Sequence, residues 1–340
     1  MRAVVYERFG GPEVLQLVER EEPQPGPGEV LVQVAFSGVN PTDHKSRRGP
    51  GPGGSGRLPF KEIVPNQDGS GTVLAVGEGV DRNRVGEDVW LWEAAWQRPQ
   101  GTAQEQVSLP QDQAVPLPPG TPLELGACIG IPALTAHRCL TVAELGPTEL
   151  RPGALGGRRV LVAGGAGAVG HAAIELARWS GAEVLATVSS DEKARLARAA
   201  GADHVVDYRH DDAEAAVHRL WPEGADVIVE VAPGPNAAVD QAVLAPHGCV
   251  ALYASDQDQL SLEIRRAMTA NARYQFVLVY TEPAAAKRQA IEDVSVALAQ
   301  GALRCGVEAG LPLHRFPLER AQDAHRAVEE HVVGKVLIEI

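Results

Sequence analysis

Three glycines at fixed spacing, Gly165, Gly167 and Gly170, are the residues of this chain best placed to do chemistry. They end the run Val160-Leu-Val-Ala-Gly-Gly-Ala-Gly-Ala-Val-Gly170, in which four apolar residues lead straight into glycine. His171 to Trp179 then reads as a helix. Strand, glycine turn and helix form the context in which this spacing grips a dinucleotide. Gly165 permits a tight turn, Gly167 lets the backbone approach a pyrophosphate, and Gly170 lets helix and strand pack closely. Gly164, Ala166, Ala168 and Val169 complete the cradle. N–H groups at the helix start would face the phosphates. The alternative is a glycine-rich turn in some other α/β protein.

An NAD-specific site usually carries an acid about 20 residues after the glycines, on the ribose 2′-hydroxyl. Here that place holds Ser189 and Ser190, whose hydroxyls can donate to a 2′-phosphate without repelling it. Lys193 lies just beyond, and Tyr208 ends the third strand. Asp191 is close enough to act as the NAD acid, or it caps the next helix. NADP(H) is favoured over NAD.

The elements around these residues follow from pattern. The chain has 340 residues, enough for two domains. Its formal charge is -13, which disfavours nucleic acid as a partner. No apolar run is long enough for a membrane span. The N-terminus lacks the apolar core of a signal peptide. The cysteines Cys128, Cys139, Cys249 and Cys305 are scattered, as suits reduced thiols in the cytoplasm. Residues 1–122 read as mostly strand and loop, including Val30–Phe36, Gly69–Val76 and Asp88–Trp92. Gly49–Gly56 reads as a surface loop, and the prolines from Pro116 to Pro122 mark a domain boundary. Helical material runs from Glu124 to Leu140, interrupted at Gly130 and Pro132.

Strands and helices then alternate. Strands are expected at Val160–Ala163, Val184–Val188, His204–Val206, Val227–Val231, Cys249–Tyr253 and Tyr274–Val279. That alternation predicts an α/β fold with a parallel sheet covered on both faces. Two helical patterns follow, Ala284–Gln300 and Pro317–Val328, and then a last strand, Lys335–Ile340. A lone final strand needs a sheet to join, so it is assigned to the first domain. The expected division is 1–122 with 281–340, and 123–280.

The order of these pieces resembles the medium-chain dehydrogenase/reductase superfamily, and within it the zeta-crystallin-like quinone oxidoreductases. The resemblance is carried by Phe9-Gly-Gly-Pro-Glu-Val-Leu15, Gly38-Val-Asn-Pro-Thr-Asp43, Ile129-Gly-Ile-Pro-Ala-Leu-Thr-Ala136, the glycine motif and Gly334-Lys335-Val-Leu-Ile. It implies a GroES-like catalytic domain and a Rossmann domain, an active site in the cleft between them, NADPH, and a homodimer joined along Tyr274–Val279. It places Lys193 and Tyr208 on the 2′-phosphate and Thr135 against the nicotinamide. Ala254, Ser255 and Lys335 join the cofactor set on the same ground. Solvent-exposed or purely structural roles remain open for Lys193 and Thr135.

Zinc-dependent members have Cys where this chain has Asn40, and Gly-His-Glu where it has Asn66-Gln67-Asp68. Amides are poor zinc ligands, so no metal is expected. Reduction of a quinone puts negative charge on oxygen, which a nearby donor would stabilise. Asn40 is the first candidate, since its position should face the nicotinamide, and Lys45 is the second. Asn40 could instead be bonded to nearby backbone. Many relatives carry tyrosine at the Lys45 position, and Gly101-Thr-Ala-Gln-Glu105 also lacks an aromatic usual there. Asp43 reads as structural, Trp90 as core, and Trp92 or Trp96 as a possible flat pocket wall. Three functions stay open: an NADPH-dependent quinone or enone reductase, an enoyl-thioester or alkenal reductase, and a non-catalytic NADPH-binding protein.

Overall fold

The computed structural model describes residues 1–50, 56–255, 257 and 259–340. Most of the glycine-rich segment read as a surface loop, residues 51–55, lies outside the described residues. The chain opens with strands β1 (Arg2–Val5), β2 (Gln16–Glu19) and β3 (Glu29–Val39), then helix α1 (Pro41–Arg48). Next come β4 (Asp68–Val76), β5 (Asp88–Leu91), β6 (Gln106–Pro110), β7 (Ala114–Pro116) and α2 (Leu123–Leu140). An alternating series follows: β8 (Arg159–Ala163), α3 (Ala168–Trp179), β9 (Glu183–Val188), α4 (Asp191–Ala199), β10 (His204–Asp207) and α5 (Ala213–Leu220). It continues with β11 (Ala225–Glu230), α6 (Pro233–Val243), β12 (Leu244–Leu252), α7 (Ile264–Ala270), β13 (Arg273–Phe276) and α8 (Ala284–Ala299). The chain closes with β14 (Leu313–Pro317), α9 (Ala321–Glu329) and β15 (Lys335–Glu339).

Two compact units result, Met1–Ile131 with Leu313–Ile340, and Pro132–Pro312. The first holds a mixed sheet in the order β14-β15-β3-β4-β5-β7, with β6 also paired to β3. The last strand joins it as expected: β15 runs antiparallel to β3, Val336 opposite Val39. The alternating apolar residues Val30, Val32 and Val34 of β3 are buried with Val73, Val89, Val107 and Leu109 in one core. The second unit is the Rossmann arrangement, a parallel sheet in the order β10-β9-β8-β11-β12-β13. Its central strand β8 is buried from Val160 to Ala163, as a strand covered on both faces must be.

Several boundaries move. The units divide inside α2 and after Pro312, where pattern had put 122 and 280. The segment from α8 to Pro312 stays with the second unit because Asp293 accepts His137 Nε2 and Leu150 N–H, and Glu175 accepts Arg304. α2 runs unbroken through Gly130 and Pro132. The helical pattern from Pro317 begins as helix α9 only at Ala321, since Pro317 ends β14. The expected strand Tyr274–Val279 is shorter, ending at Phe276. Helix α1 has no counterpart in the loop-and-strand reading. Its sequence, Pro41-Thr-Asp-His-Lys-Ser-Arg-Arg48, carries no apolar stripe, and it buries Asp43, His44 and Arg47 instead. Among the described residues no helix is long and apolar enough to cross a membrane.

Candidate cofactor and substrate sites

In the second unit, β8 runs into a turn that starts at Gly164, whose φ of +68° lies in the left-handed region. The left-handed turn residue is thus Gly164, not Gly165. The N–H groups of Gly164 and Gly165 donate to Thr187 O of β9 at 3.1 and 3.2 Å. A Cβ on Gly170 would stand 2.4 Å from Gly164 O, so only glycine lets helix and turn pack this closely. A Cβ on Gly167 would meet nothing nearer than 3.5 Å, which leaves that face of the turn open. Helix α3 starts at Ala168, ahead of the expected His171. Its first hydrogen bond runs from His171 N–H to Gly167 O at 2.8 Å. The N–H groups of Ala168, Val169 and Gly170 precede that bond and stay available, at the positive end of the helix. Ala166 is buried beside them. Such a cradle fits a pyrophosphate.

Ser189 and Ser190 follow β9. Ser190, with extended backbone, is the N-cap of α4, its Oγ accepting Lys193 N–H at 3.3 Å. Asp191, read as the cap, is instead the first helical residue and exposed. Lys193 Nζ donates to Ser189 Oγ at 3.0 Å. Tyr208, just past β10, is 54% exposed and tied by its N–H to Val188 O at 3.1 Å. The parallel register of β9 and β10, Val188 opposite Asp207, thus puts Ser189, Lys193 and Tyr208 at neighbouring strand ends. Ala254 and Ser255 follow β12 at the same edge of the sheet, and Ser255 Oγ donates to Gln257 O. Thr135 lies buried on α2.

The sequence reading missed a buried carboxyl pair in this unit. Glu230 ends β11, alongside β8, and accepts Asn236 Nδ2 at 3.0 and 3.1 Å. Burial, then the neighbouring Glu230, pushes Asp240 up to about 9. The pair therefore holds a proton at neutral pH. The signal was an acid inside the apolar strand Val227–Val231.

In the first unit, Asn40 is the N-cap of α1 and is buried. Its N–H donates to Asp43 Oδ2 at 2.7 Å, as in a capping box. Its side chain is engaged on both ends: Nδ2 donates to Asp68 Oδ2 at 2.7 Å, and Oδ1 accepts Lys335 Nζ at 2.7 Å. Lys335, expected on the cofactor, is buried here, with Asp68 Oδ2 also at 3.3 Å. Asp68 Oδ1 accepts Ile131 N–H at 2.8 Å. Burial raises the pKa of Asp68, while Lys335 and these donors favour its charged form.

Burial also pushes Asp43 up to about 8, against the pull of the Asn40 N–H. Asn66 has a φ of +79° and donates to Ser37 Oγ at 2.9 Å. Its Oδ1 faces His325 Nε2 at 3.0 Å, which makes that nitrogen the donor. Burial lowers His325 to about 3, so the ring is neutral. Gln67 Oε1 accepts Ala95 N–H at 3.2 Å. Among the described residues no three His, Cys, Asp or Glu side chains stand together to hold a metal ion.

Above this polar layer lies a cavity of about 700 Å³ within the first unit. Tyr6, Phe9, Phe60 and Trp96 give it aromatic walls, and Lys45 and Gln67 line it too. Asn40 is not among its lining residues. The expected catalytic pair is thus split: Lys45 reaches the cavity, and Asn40 sits below it in the Asp68–Lys335 network. Trp90 is fully buried, and Trp92 lies just past β5 with its Nε1 donating to Asp112 O at 3.0 Å. Trp96 is the tryptophan on the cavity wall.

Comparison with known proteins places these features. The zinc-binding dehydrogenase model matches residues 168–296, and the alcohol dehydrogenase GroES-like domain model matches 26–119. The quinone oxidoreductase of Lama guanicoe is 29% identical over 343 residues, 99% of this chain and 97% of its own. A crystal structure of an NAD-dependent alcohol dehydrogenase is 30% identical, with all of both chains covered and a TM-score of 0.85. A mycobacterial structure complexed with NADPH is 28% identical, again over both whole chains, with a TM-score of 0.81. The synaptic vesicle membrane protein VAT-1 homolog of Rattus norvegicus is 31% identical over 74% of this chain. The chain spans only 59% of that relative's length.

Proposed function

We propose a function from one premise, that the chain belongs to the medium-chain dehydrogenase/reductase superfamily. Within it the protein is read as a zinc-independent, cytoplasmic reductase of quinones or related α,β-unsaturated carbonyls, with NADP(H) as its cofactor. One observation carries the reading: the Gly164–Gly170 cradle opens at the sheet edge where Lys193 and Ser189 meet.

The N–H groups of Ala168, Val169 and Gly170 would hold the pyrophosphate. Ser189, Lys193 and Tyr208 would hold a ribose 2′-phosphate. Asp191 is the one residue there that would suit NAD, but it is not positioned as a cap and points to solvent. The quinone oxidoreductase relatives match over nearly the whole chain, and one relative's structure holds NADPH. When bound, reduced nicotinamide supplies a hydride. The chain's own part is to orient the acceptor and stabilise the charge it gains. The aromatic walls of the cavity suit a flat conjugated acceptor, and Lys45 supplies a cation beside it.

The zinc-free reading is supported by Asn40, Asn66 and Gln67, amides each bonded within the protein. The cytoplasmic reading is supported by the buried thiols Cys139 and Cys249. A homodimer is supported by the edge position of β13 and by exposed Phe276 upon it.

The test is NADPH consumption by purified, chelator-treated protein against a panel of quinones and enones, with NADH in parallel. Turnover with NADPH preferred is the expected result. Activity lost to chelator and restored by zinc would overturn the metal-free reading. Tight NADPH binding without turnover would replace the enzyme with a binding protein.

A further inference from the structure

The cavity of the first unit holds a phenol whose hydroxyl no described residue engages. Tyr6 lies just after β1, and its backbone is fixed by Ile63 in both directions, N–H to O at 2.9 Å and O to N–H at 3.0 Å. Its side chain lines the cavity and is only 4% exposed. The hydroxyl makes no hydrogen bond with any described residue. It is not sealed inside protein, as Asp43 Oδ1 and the Trp90 indole nitrogen are. A tyrosine hydroxyl held in a largely buried place normally has a partner. Here the partner must come from whatever fills the cavity.

Resting on the reductase reading above, we propose that Tyr6 donates a hydrogen bond to the carbonyl oxygen of an α,β-unsaturated carbonyl substrate and protonates the enolate formed from it. The family tyrosine missing at Lys45 is then replaced, from a different part of the chain, by a phenol on the same cavity. The titratable and charged groups near Tyr6 are Asp43 and Arg47 on α1, and Lys45 and Arg98 share the cavity.

The step balances. The substrate's β-carbon takes a hydride, a C–H bond forms, and the C=C electron pair shifts to leave an enolate with its charge on oxygen. Tyr6 holds that oxygen by a hydrogen bond as the charge develops; its O–H bond then breaks and the proton goes to the α-carbon, forming a C–H bond and giving the saturated carbonyl. The phenolate recovers a proton from water. One carbon–carbon double bond is reduced by two electrons, one reduced nicotinamide is oxidised, and one proton is consumed.

The same geometry separates substrate classes. Burial makes Tyr6 a weaker acid than a solvated phenol. Its proton moves only to a base stronger than ordinary phenolate. An enolate is such a base at its α-carbon. The anion of a reduced quinone is itself an ordinary phenolate, so it receives a hydrogen bond and no proton. Enones therefore depend on Tyr6 more than quinones do.

The experiment compares wild type with Tyr6→Phe. The substitution removes an atom bonded to no described residue, so the melting temperature is expected to stay unchanged. The first readout needs no cofactor: the infrared carbonyl stretch of cinnamaldehyde bound to the protein. It is expected at lower frequency in wild type than in Tyr6→Phe. The second is kcat with NADPH, expected to fall about 100-fold for the enone and by less than about 10-fold for a quinone. An unshifted carbonyl in wild type, or an enone kcat retained in Tyr6→Phe, overturns the proposal. Should wild type reduce neither class, the reductase reading fails by itself, and the carbonyl shift alone still decides whether Tyr6 grips the ligand.

Discussion

Replacing Asp43 by asparagine should erase a pH dependence of folding that this one carboxyl creates. In the folded chain burial keeps Asp43 protonated up to about pH 8. In the unfolded chain the same group releases its proton near pH 4 (about 3.9 for a solvated Asp). Between these values the folded state binds the extra proton, so wild-type stability is greatest below about pH 4 and falls as pH rises toward 8. Each pH unit in that window costs up to about 1.4 kcal/mol. Water penetration and relaxation reduce such figures at buried sites, so the loss between pH 5 and pH 8 should be about 2–4 kcal/mol.

The amide introduced by Asp43→Asn has the shape of neutral aspartic acid, and its carbonyl can still accept the Asn40 N–H that Asp43 Oδ2 holds at 2.7 Å. The variant should therefore melt near wild type at pH 5 and above it at pH 8, by about 5–10 °C for a unit of this size. Asp68 and Lys335 act on Asp43, so their coupling to it is part of the difference measured. Thermal unfolding followed from pH 5 to pH 9 reads it directly. A difference that stays flat with pH would refute the argument, and one that favours wild type at pH 8 would reverse its sign.

Three further outcomes are expected. Lys193→Ala should raise KM for NADPH about 10–100-fold and leave KM for NADH nearly unchanged, since a charged hydrogen bond to phosphate is worth about 1.5–3 kcal/mol; equal effects on both cofactors would remove Lys193 from the 2′-phosphate. Gly170→Ala forces a Cβ to 2.4 Å from Gly164 O, so dinucleotide binding by fluorescence titration should be lost. The same change should lower stability by about 1–3 kcal/mol. Glu329→Gln strips the counter-charge from Arg47, whose side chain is fully buried. It should cost about 3–5 kcal/mol in urea unfolding, and unchanged stability would mean that Arg47 finds another partner.

What could be read in advance follows from how far apart the partners lie. The cofactor cradle is local: strand, turn and helix start fall within Val160 to Gly170, and glycine's special backbone states leave a direct mark in the sequence. Even there the left-handed residue was misplaced by one, because Gly164 and Gly165 are both glycine and spacing alone cannot say which turns. The strands β8, β9, β11 and β12 were legible for a similar reason, each carrying a largely apolar run at regular spacing. Helix α1 was not, because tertiary polar contacts hold it: Arg47 Nη1 donates to Gly10 O at 2.6 Å and its guanidinium also pairs with Glu329. No apolar period records contacts of that kind.

The polar layer beneath the cavity was hidden for a further reason, and that reason bears on function. Asn40 meets Asp68 across 28 residues and Lys335 across 295, and Asn66 meets His325 across 259. Pattern could say that amides stand where zinc-dependent relatives carry ligands. It could not say that the amides are already bonded. Asn40 gives both ends of its side chain to Asp68 and Lys335, Asn66 is held by Ser37 and His325, and Gln67 is tied to Ala95. Releasing any of them toward a substrate would leave a buried partner unsatisfied, at about 1–3 kcal/mol each and more for a charged one. Asn40 is thereby a costly choice of donor, although its position recommended it. Among the groups at the cavity surface that can meet a substrate without breaking the layer are the Tyr6 hydroxyl and the Lys45 ammonium. Such a surface offers a ligand a neutral donor and a cation from within one cavity.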